Sequence, residues 1–144
     1  MNIAEIENVF NSGDRQKIEL MARAILVHGR SHHSMQELSK HAKKFSALLS
    51  KTAREDREYL ALVYILAEHL QEISEGACAC SIVEKPMFNS PDRLDGILQV
   101  LGEQVNPVDN SFSVHSKCLA CGNEYLAKVV DSGYGQKVFW KNYN

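Results

Sequence analysis

The first 77 residues contain no cysteine, and the whole chain of 144 residues has three prolines and one tryptophan. Long apolar runs are also missing. The longest apolar stretch, Leu60–Leu70, is interrupted by Glu68 and His69, whereas a membrane-spanning helix needs about 20 apolar residues. We therefore expect no membrane segment in this sequence.

A basic excess is absent as well. Sixteen Lys and Arg residues face eighteen Asp and Glu residues, giving a net charge of -2, so the composition disfavours nucleic acid as a partner. The beginning of the chain carries Glu5 and Glu7 where a secretory signal would be basic. We expect a cytoplasmic protein, with the 44 % hydrophobic and 24 % charged residues of an ordinary soluble domain.

Residues 1–76 have the apolar spacing of helices, and capping boxes at Ser34–Glu37 and Thr52–Glu55 indicate two of the helix starts. A glycine, Gly76, follows the last apolar position, as is common at helix ends. The pattern predicts a helical bundle of about four helices. Their apolar positions run over Ile3–Phe10, Arg15–Val27, Met35–Leu49 and Tyr59–Ile73, and the last helix starts at the Thr52–Glu55 capping box.

Residues 77–144 change to short β-branched or aromatic runs that are separated by turn residues. Pro86–Asp95 is predicted as an irregular loop, with a helical turn that starts at Ser90 and Pro91 as the alternative. Asp131–Gly135 favours a hairpin. The predicted strands are Cys80–Val83, Ile97–Leu101, Ser111–Ser116, Glu124–Val130 and Lys137–Trp140. We expect an α+β fold in which the helical region 1–76 and a small antiparallel, zinc-stapled sheet of zinc-ribbon-like character, 77–144, pack as one compact unit.

The four cysteines form two close pairs, Cys78-Ala79-Cys80 and Cys118-Leu119-Ala120-Cys121. Two thiolates separated by two residues can converge on one ion from a tight turn, and Gly122 permits the positive φ that such turns need. Four sulfur ligands complete a tetrahedron and leave no open position for substrate. The spacing predicts one structural zinc ion bound by Cys78, Cys80, Cys118 and Cys121.

Other interpretations of the cysteines stay open. Disulfides are the main rival, although thiols in a reducing cytosol stay reduced unless they have redox work. A redox role for Cys118 and Cys121 would need the motif to open a helix after a parallel strand. A further interpretation is that the four cysteines are buried separately and form no common site. His115, three residues before Cys118, is an alternative ligand if Cys78 or Cys80 turns away.

No catalytic motif is found in the sequence. A zinc deaminase needs His-x-Glu and Pro-Cys-x-x-Cys, but His69 is followed two residues later by Gln71, and Lys117 stands in the place of the proline. Metalloprotease, phosphate-binding, dinucleotide-binding and nucleophile-elbow motifs are also missing from the sequence. We expect no enzyme, no catalytic residues and no cofactor besides zinc. An enzyme whose active site is built from residues distant in sequence is the third hypothesis.

The C-terminal part combines Cys-x-Cys, a variable loop, two predicted strands and Cys-x-x-Cys-Gly, followed by Tyr125, Val129, Tyr134 and Trp140. This pattern resembles small bacterial immunity proteins that are encoded beside secreted polymorphic or contact-dependent toxins. The resemblance implies a stoichiometric protein that occludes a cognate toxin domain. Its binding surface would be the loop Glu84–Asp95 or acidic helix residues, namely Glu55, Asp56 and Glu58, or Glu68, Glu72 and Glu75.

The competing hypothesis is a zinc-ribbon-like regulatory or nucleic-acid-binding module. Interleaved aromatics and cations can stack on bases and neutralise phosphates of single strands. The residues that would form this surface are Lys128, Lys137, Lys141, Tyr134, Phe139, Trp140 and Tyr143, and the acidic residues Asp109, Glu124 and Asp131 of the same region count against it. The sequence makes no prediction of the oligomeric state.

Overall fold

A computed structural model describes residues 3–27, 31–50, 61–85, 91–131, 133 and 135–143 of the chain. The chain divides into two compact units, Met1–Ala79 and Cys80–Asn144. Helices come first along the chain and a four-stranded antiparallel sheet follows them. This order of elements confirms the α+β class.

The helical unit is organised around its last described helix. Its described α-helices are α1 (Ile3–Asn11), α2 (Arg15–Val27), α3 (His32–Ser39), α4 (Ala42–Ser50) and α5 (Ala61–Ser74). Helices α2, α3 and α4 each contact α5, whose apolar residues recur at helical spacing and are buried on one face. Across the described part of the chain, no helix has the length and apolar character needed to span a membrane.

The expected number of about four helices is not confirmed, because the predicted helix Met35–Leu49 is two helices. Helix α3 ends at Ser39, whose hydroxyl donates to the carbonyl oxygen of Gln36 at 2.7 Å. A turn at Lys40 and His41 separates it from α4. Since Met35 before the turn and Phe45 after it are both buried, apolar spacing alone does not reveal the break.

The start of α3 also differs from the prediction that Ser34 is its N-cap. Ser31 is the N-cap: its hydroxyl accepts from the Ser34 amide at 3.1 Å, and the Ser34 hydroxyl accepts from the Ser31 amide at 3.1 Å. The prediction is wrong because Ser34 is the second residue of this reciprocal pair and Ser31 the first. The sequence pattern instead assigns Ser34 as the N-cap and Glu37 as its partner. The second predicted capping box, Thr52–Glu55, which is the predicted start of the fourth helix, lies outside the described residues.

The sheet of the second unit consists of β1 (Leu98–Val105), β2 (Phe112–Cys118), β3 (Glu124–Asp131) and β4 (Gln136–Asn142), in that order. All neighbouring strands are antiparallel. Side chains alternate between two faces. We call the buried side the inner face, with Leu98, Val114, Ser116, Cys118, Tyr125, Ala127 and Val129. The opposite side is the outer face.

Four of the five predicted strands are confirmed, as is the hairpin between β3 and β4, in which Asp131 pairs with Gln136. The predicted strand Cys80–Val83 is wrong: Ala79–Glu84 is a 3-10 helix. Ile82 and Val83 are both buried although they are neighbours in sequence, which a strand with one buried face does not allow. For Pro86–Asp95 the described part has the alternative, a helical turn, and not the expected irregular loop: Pro91–Leu94 is a second 3-10 helix, and residues 86–90 lie outside the described residues.

Candidate metal centre

The side chains of Cys78, Cys80, Cys118 and Cys121 come together in one cluster. Their Sγ atoms all lie within 4.8 Å of one another, and those of Cys80 and Cys121 are 3.6 Å apart. Cys80 and Cys118 are buried, Cys78 is half-buried and Cys121 is exposed. Four thiols at such distances can hold one metal ion.

The Cys-x-x-Cys pair occupies the tight turn between β2 and β3. Cys118 is the last residue of β2, and its amide donates to the carbonyl oxygen of Asn123 at 2.8 Å while its own carbonyl accepts from the Gly122 amide at 3.2 Å. Gly122 has a φ of 80°, a conformation that is costly for residues with a Cβ atom. The turn thus depends on glycine at this position.

Backbone amides of the same turn point at the sulfur atoms. The amides of Ala120 and Cys121 each donate to the Sγ atom of Cys118 at 3.4 Å. The amide of Asn123 donates to the Sγ atom of Cys121 at 3.5 Å. Amide donors of this kind orient the sulfur atoms and can offset part of the charge of a metal-bound thiolate.

The Cys-x-Cys pair follows the end of α5. Gly76, with a φ of 108°, ends that helix, and the Ala77 amide donates to the carbonyl oxygen of Glu72 at 3.0 Å in a helix-capping turn. Cys78 comes next, and Cys80 lies in the 3-10 helix Ala79–Glu84. A coiled segment, rather than the predicted strand, brings these two thiols into the cluster.

Tyr125 is a site residue that the sequence did not single out as a cysteine partner. Its hydroxyl oxygen lies 3.0 Å from the Sγ atom of Cys80, and burial raises the pKa of the Tyr125 hydroxyl above its ordinary value, with the hydrogen bond to Cys80 adding to the rise. The phenol therefore stays protonated and can donate to a Cys80 thiolate. Strand alternation along β3, which places Tyr125 on the inner face, is the sequence signal that could have indicated this contact.

The alternative ligand His115 lies on the other side of the sheet from Cys118. Strand alternation directs Cys118 and Ser116 to the inner face and His115 to the outer face. There the His115 Nε2 atom is 3.0 Å from the Glu124 Oε1 atom, and its ring stacks on that of Tyr143 with centroids 3.9 Å apart. His115 is not a member of the cysteine cluster.

Comparison of the chain with protein-family models, with curated proteins and with solved structures finds no match. The geometry of the cluster is therefore the basis for assigning a function. Among the residues that the structure describes, the four cysteines are the group of three or more ligand-type side chains whose donor atoms converge. They supply an all-sulfur donor set.

Proposed function

We propose that Cys78, Cys80, Cys118 and Cys121 hold one structural zinc ion. The observation that carries this proposal is the convergence of all four Sγ atoms to within 4.8 Å of one another. Zinc–sulfur bonds of about 2.3 Å in a regular tetrahedron place the sulfurs about 3.8 Å apart. The Cys80 and Cys121 sulfurs are already 3.6 Å apart, so small shifts of the other side chains complete the tetrahedron.

The donor set favours zinc over the other fates of the cysteines. A disulfide needs a sulfur separation of about 2.05 Å, well below the 3.6 Å between Cys80 and Cys121. Soft thiolate ligands in a tetrahedron select zinc or iron. With four protein ligands the ion has no open position for water or substrate, so its role is structural.

The environment of the sulfurs suits such an ion. The amide hydrogen bonds to Cys118 and Cys121 and the Tyr125 hydroxyl at Cys80 compensate part of the negative charge that four thiolates bring to one ion. Zinc would tie the 3-10 helix that contains Cys80 to the turn between β2 and β3. A small sheet unit buries little apolar surface by itself, so a metal link contributes strongly to its folding.

Metal analysis of the protein purified without added metal tests the zinc assignment. We expect one zinc per chain, and cobalt exchanged into the site should give the sulfur-to-metal charge-transfer bands of a tetrahedral four-sulfur centre. Iron at one equivalent per chain would refute zinc as the ion. A metal-free protein that is fully folded, or disulfides found by mass spectrometry in the freshly isolated chain, would refute the metal centre itself.

The zinc-stabilised chain acts, in this proposal, as an immunity protein that binds a toxin domain in the bacterial cytoplasm. A closed structural site fits a protein that works by binding. An acidic stripe at the end of α5 offers a surface for a basic partner: Glu68 and Glu72 fall on the side of the helix opposite the buried Leu66 and Leu70, and Glu75 follows directly after the helix. Complementary charge of this kind raises association rates between proteins.

The test begins with the gene beside that of this chain. We expect a neighbouring gene that encodes a large secreted protein with a variable C-terminal domain, which would be the toxin. Co-expression of this chain with that domain should protect the cells. The variant Glu68→Lys/Glu72→Lys should lose protection, whereas Glu5→Lys/Glu19→Lys, with the same charge change elsewhere in the helical unit, should retain it. If the unchanged protein fails to protect, the immunity function is wrong, and the zinc proposal is untouched.

A further inference from the structure

The outer face of the sheet carries cations and aromatic rings in a regular pattern. Along β4 and the residue after it, side chains on this face follow the order Lys137, Phe139, Lys141 and Tyr143. Residues two apart on a strand are separated by about 6.8 Å, so cations and rings alternate at even intervals. We propose that this outer face binds single-stranded nucleic acid, with bases stacked on the rings and phosphates at the lysines.

The first part of the surface is centred on Phe139. Its side chain is 58 % exposed, so the ring is accessible for stacking. Its cross-strand neighbour is Lys128, and the next pair on this face is Leu126 with Lys141. These four residues line a cavity of about 320 Å³. An open cavity between two cations and a ring can take a base together with its phosphate.

A second ring platform lies further along the same strand. Tyr143 is 53 % exposed and stacks on His115 with an interplanar angle of 20°. The Glu124 carboxylate fixes His115 from the side at 3.0 Å, and the amide of Tyr143 donates to the Glu124 carbonyl oxygen at 3.0 Å. These contacts hold the rings of His115 and Tyr143 in place. The exposed face of Tyr143 is therefore ordered before a base binds, which lowers the entropy cost of binding.

The charge on this face differs from that of the whole chain. Its lysines are Lys117, Lys128, Lys137 and Lys141. The opposing carboxylates are Glu124, which faces His115, and Asp109, which is 3.5 Å from Lys128. The face therefore carries a local positive excess although the chain has a net charge of -2. Acidic polymers are attracted to such a patch.

The rings decide between two acidic partners. An acidic protein surface would pair with the lysines but has no general use for exposed rings at alternate positions, whereas every nucleobase has a π-face that stacks on them. Of the aromatics expected at this surface from the sequence, Trp140 instead belongs by register to the inner face, where its ring meets that of Tyr125 at 6.5 Å. Tyr134 lies outside the described residues.

Fluorescence anisotropy with the zinc-loaded full chain tests the proposal. The probes are labelled oligothymidylate and oligouridylate of about twelve nucleotides, a length that covers a surface of this type. At low salt we expect dissociation constants on the order of 10⁻⁵ M, and three to four phosphate contacts predict a slope of about -2 to -3 in log K against log salt. The DNA and RNA probes show which sugar the surface prefers, and binding of either one supports the proposal.

Matched variants separate stacking from charge. Phe139→Leu keeps an apolar side chain but removes the ring, and should weaken binding about ten-fold, whereas Phe139→Tyr should retain it. Lys128→Ala/Lys141→Ala should weaken binding and reduce the salt slope by about 1.4. The control Lys17→Ala/Lys43→Ala removes the same charge from exposed positions of the helical unit and should leave binding unchanged.

Two results would overturn the proposal. One is the absence of binding to both probes at about 20 mM salt, where electrostatic attraction is strongest. The other is binding that is unaffected by Phe139→Leu and is competed equally well by polyglutamate of the same charge, which would identify a docking site for acidic proteins. The lysines and rings lie in the sheet unit, whereas the acidic stripe lies on α5. Neither of these two results therefore bears on the outcome of the toxin-protection assay.

Discussion

The hydroxyl oxygen of Tyr125 lies 3.0 Å from the Sγ atom of Cys80, although the two residues are 45 positions apart in the sequence. Tyr125 is fixed on the inner face of the sheet by its pairing with Ser116 on β2 and by an edge-to-face contact with the ring of Trp140 at 6.5 Å. A ligand sulfur that is held by an ordered donor loses less freedom when a metal binds.

The variant Tyr125→Phe should therefore bind zinc more weakly while keeping its ring in the core. We expect a decrease in affinity of about ten- to a hundred-fold, the usual effect of removing a hydrogen bond to a metal ligand. Competition with a chromophoric chelator measures it. Tyr143→Phe, which alters a phenol on the outer face, is the matched control and should not change the affinity. Equal affinities for both variants would show that the Cys80 contact has no role in metal binding.

A second prediction separates the cysteine ligands from His115. In the cobalt-exchanged protein, Cys118→Ser should abolish or strongly shift the sulfur-to-cobalt charge-transfer bands. The Sγ atom of Cys118 is buried and accepts hydrogen bonds from two backbone amides, which hold it in place for the metal. His115→Ala should leave the bands unchanged, since its Nε2 atom faces Glu124. A spectral shift in His115→Ala of the size seen for a lost ligand would place this histidine at the metal.

The fold was predictable wherever one local pattern decides the structure. The strands β1 to β4 were foreseen from β-branched runs between turn residues, and α5 from its apolar spacing up to Gly76. The break between Ser39 and Ala42 was not foreseen, because Met35 and Phe45 are buried on both sides of it. The error at Cys80–Val83 has the same kind of cause: a short apolar run does not distinguish a strand from a buried 3-10 turn.

The cysteine cluster was predictable because close pairs of cysteines carry their chemistry in their spacing. The hydrogen-bond donors around the cluster were not predictable from the sequence. The amide contacts of Ala120 and Asn123 depend on the backbone path of one turn, and the Tyr125 contact depends on how β3 meets the 3-10 helix. Sequence spacing contains no information on such tertiary distances, whereas the exclusion of His115 follows from strand alternation relative to Cys118.

Gly122 gives a third prediction. A Cβ atom at this position would lie 3.8 Å from the Lys117 Cε atom, an ordinary contact, so Gly122→Ala costs stability only through its positive φ. We expect a loss of about 1 kcal/mol in the free energy of unfolding of the zinc-loaded protein, measured by urea denaturation. Gly102→Ala is the matched control, because a Cβ atom there meets nothing within 4 Å and φ is not positive. Equal effects of the two substitutions would contradict this reading of the turn.

The turn between β1 and β2 contains a carboxyl with a perturbed pKa. Hydrogen bonds from the Ser111 hydroxyl and amide to the Asp109 Oδ1 atom lower the pKa of Asp109 below 3.8, and Lys128 contributes less. Because the folded pKa is lowered, this carboxylate stabilises the fold above the unfolded pKa, and the contribution is lost as the pH falls through the folded pKa.

Titration of the Asp109 carboxyl carbon by NMR measures this pKa directly. In Ser111→Ala the largest hydrogen-bond contribution is removed, so the pKa should rise toward its ordinary value. In Lys128→Ala the rise should be smaller, since that charge lies 3.5 Å away at the other carboxylate oxygen. A larger rise in Lys128→Ala than in Ser111→Ala would show that charge, and not hydrogen bonding, controls this group.

Removal of the metal should act on the two compact units unequally. The four cysteines converge around the 3-10 helix and the β2–β3 turn, whereas α5 is buried against α2, α3 and α4 by apolar side chains that do not depend on the ion. Chelation should therefore raise hydrogen exchange most in β2 and β3, while the amides of α5 keep most of their protection. Exchange measured by mass spectrometry before and after treatment with a chelator tests this, and the Cys118→Ser variant should show the same pattern without chelator. If α5 loses protection together with the strands, folding of the helices also requires the metal; if neither changes, the cluster does not support the sheet.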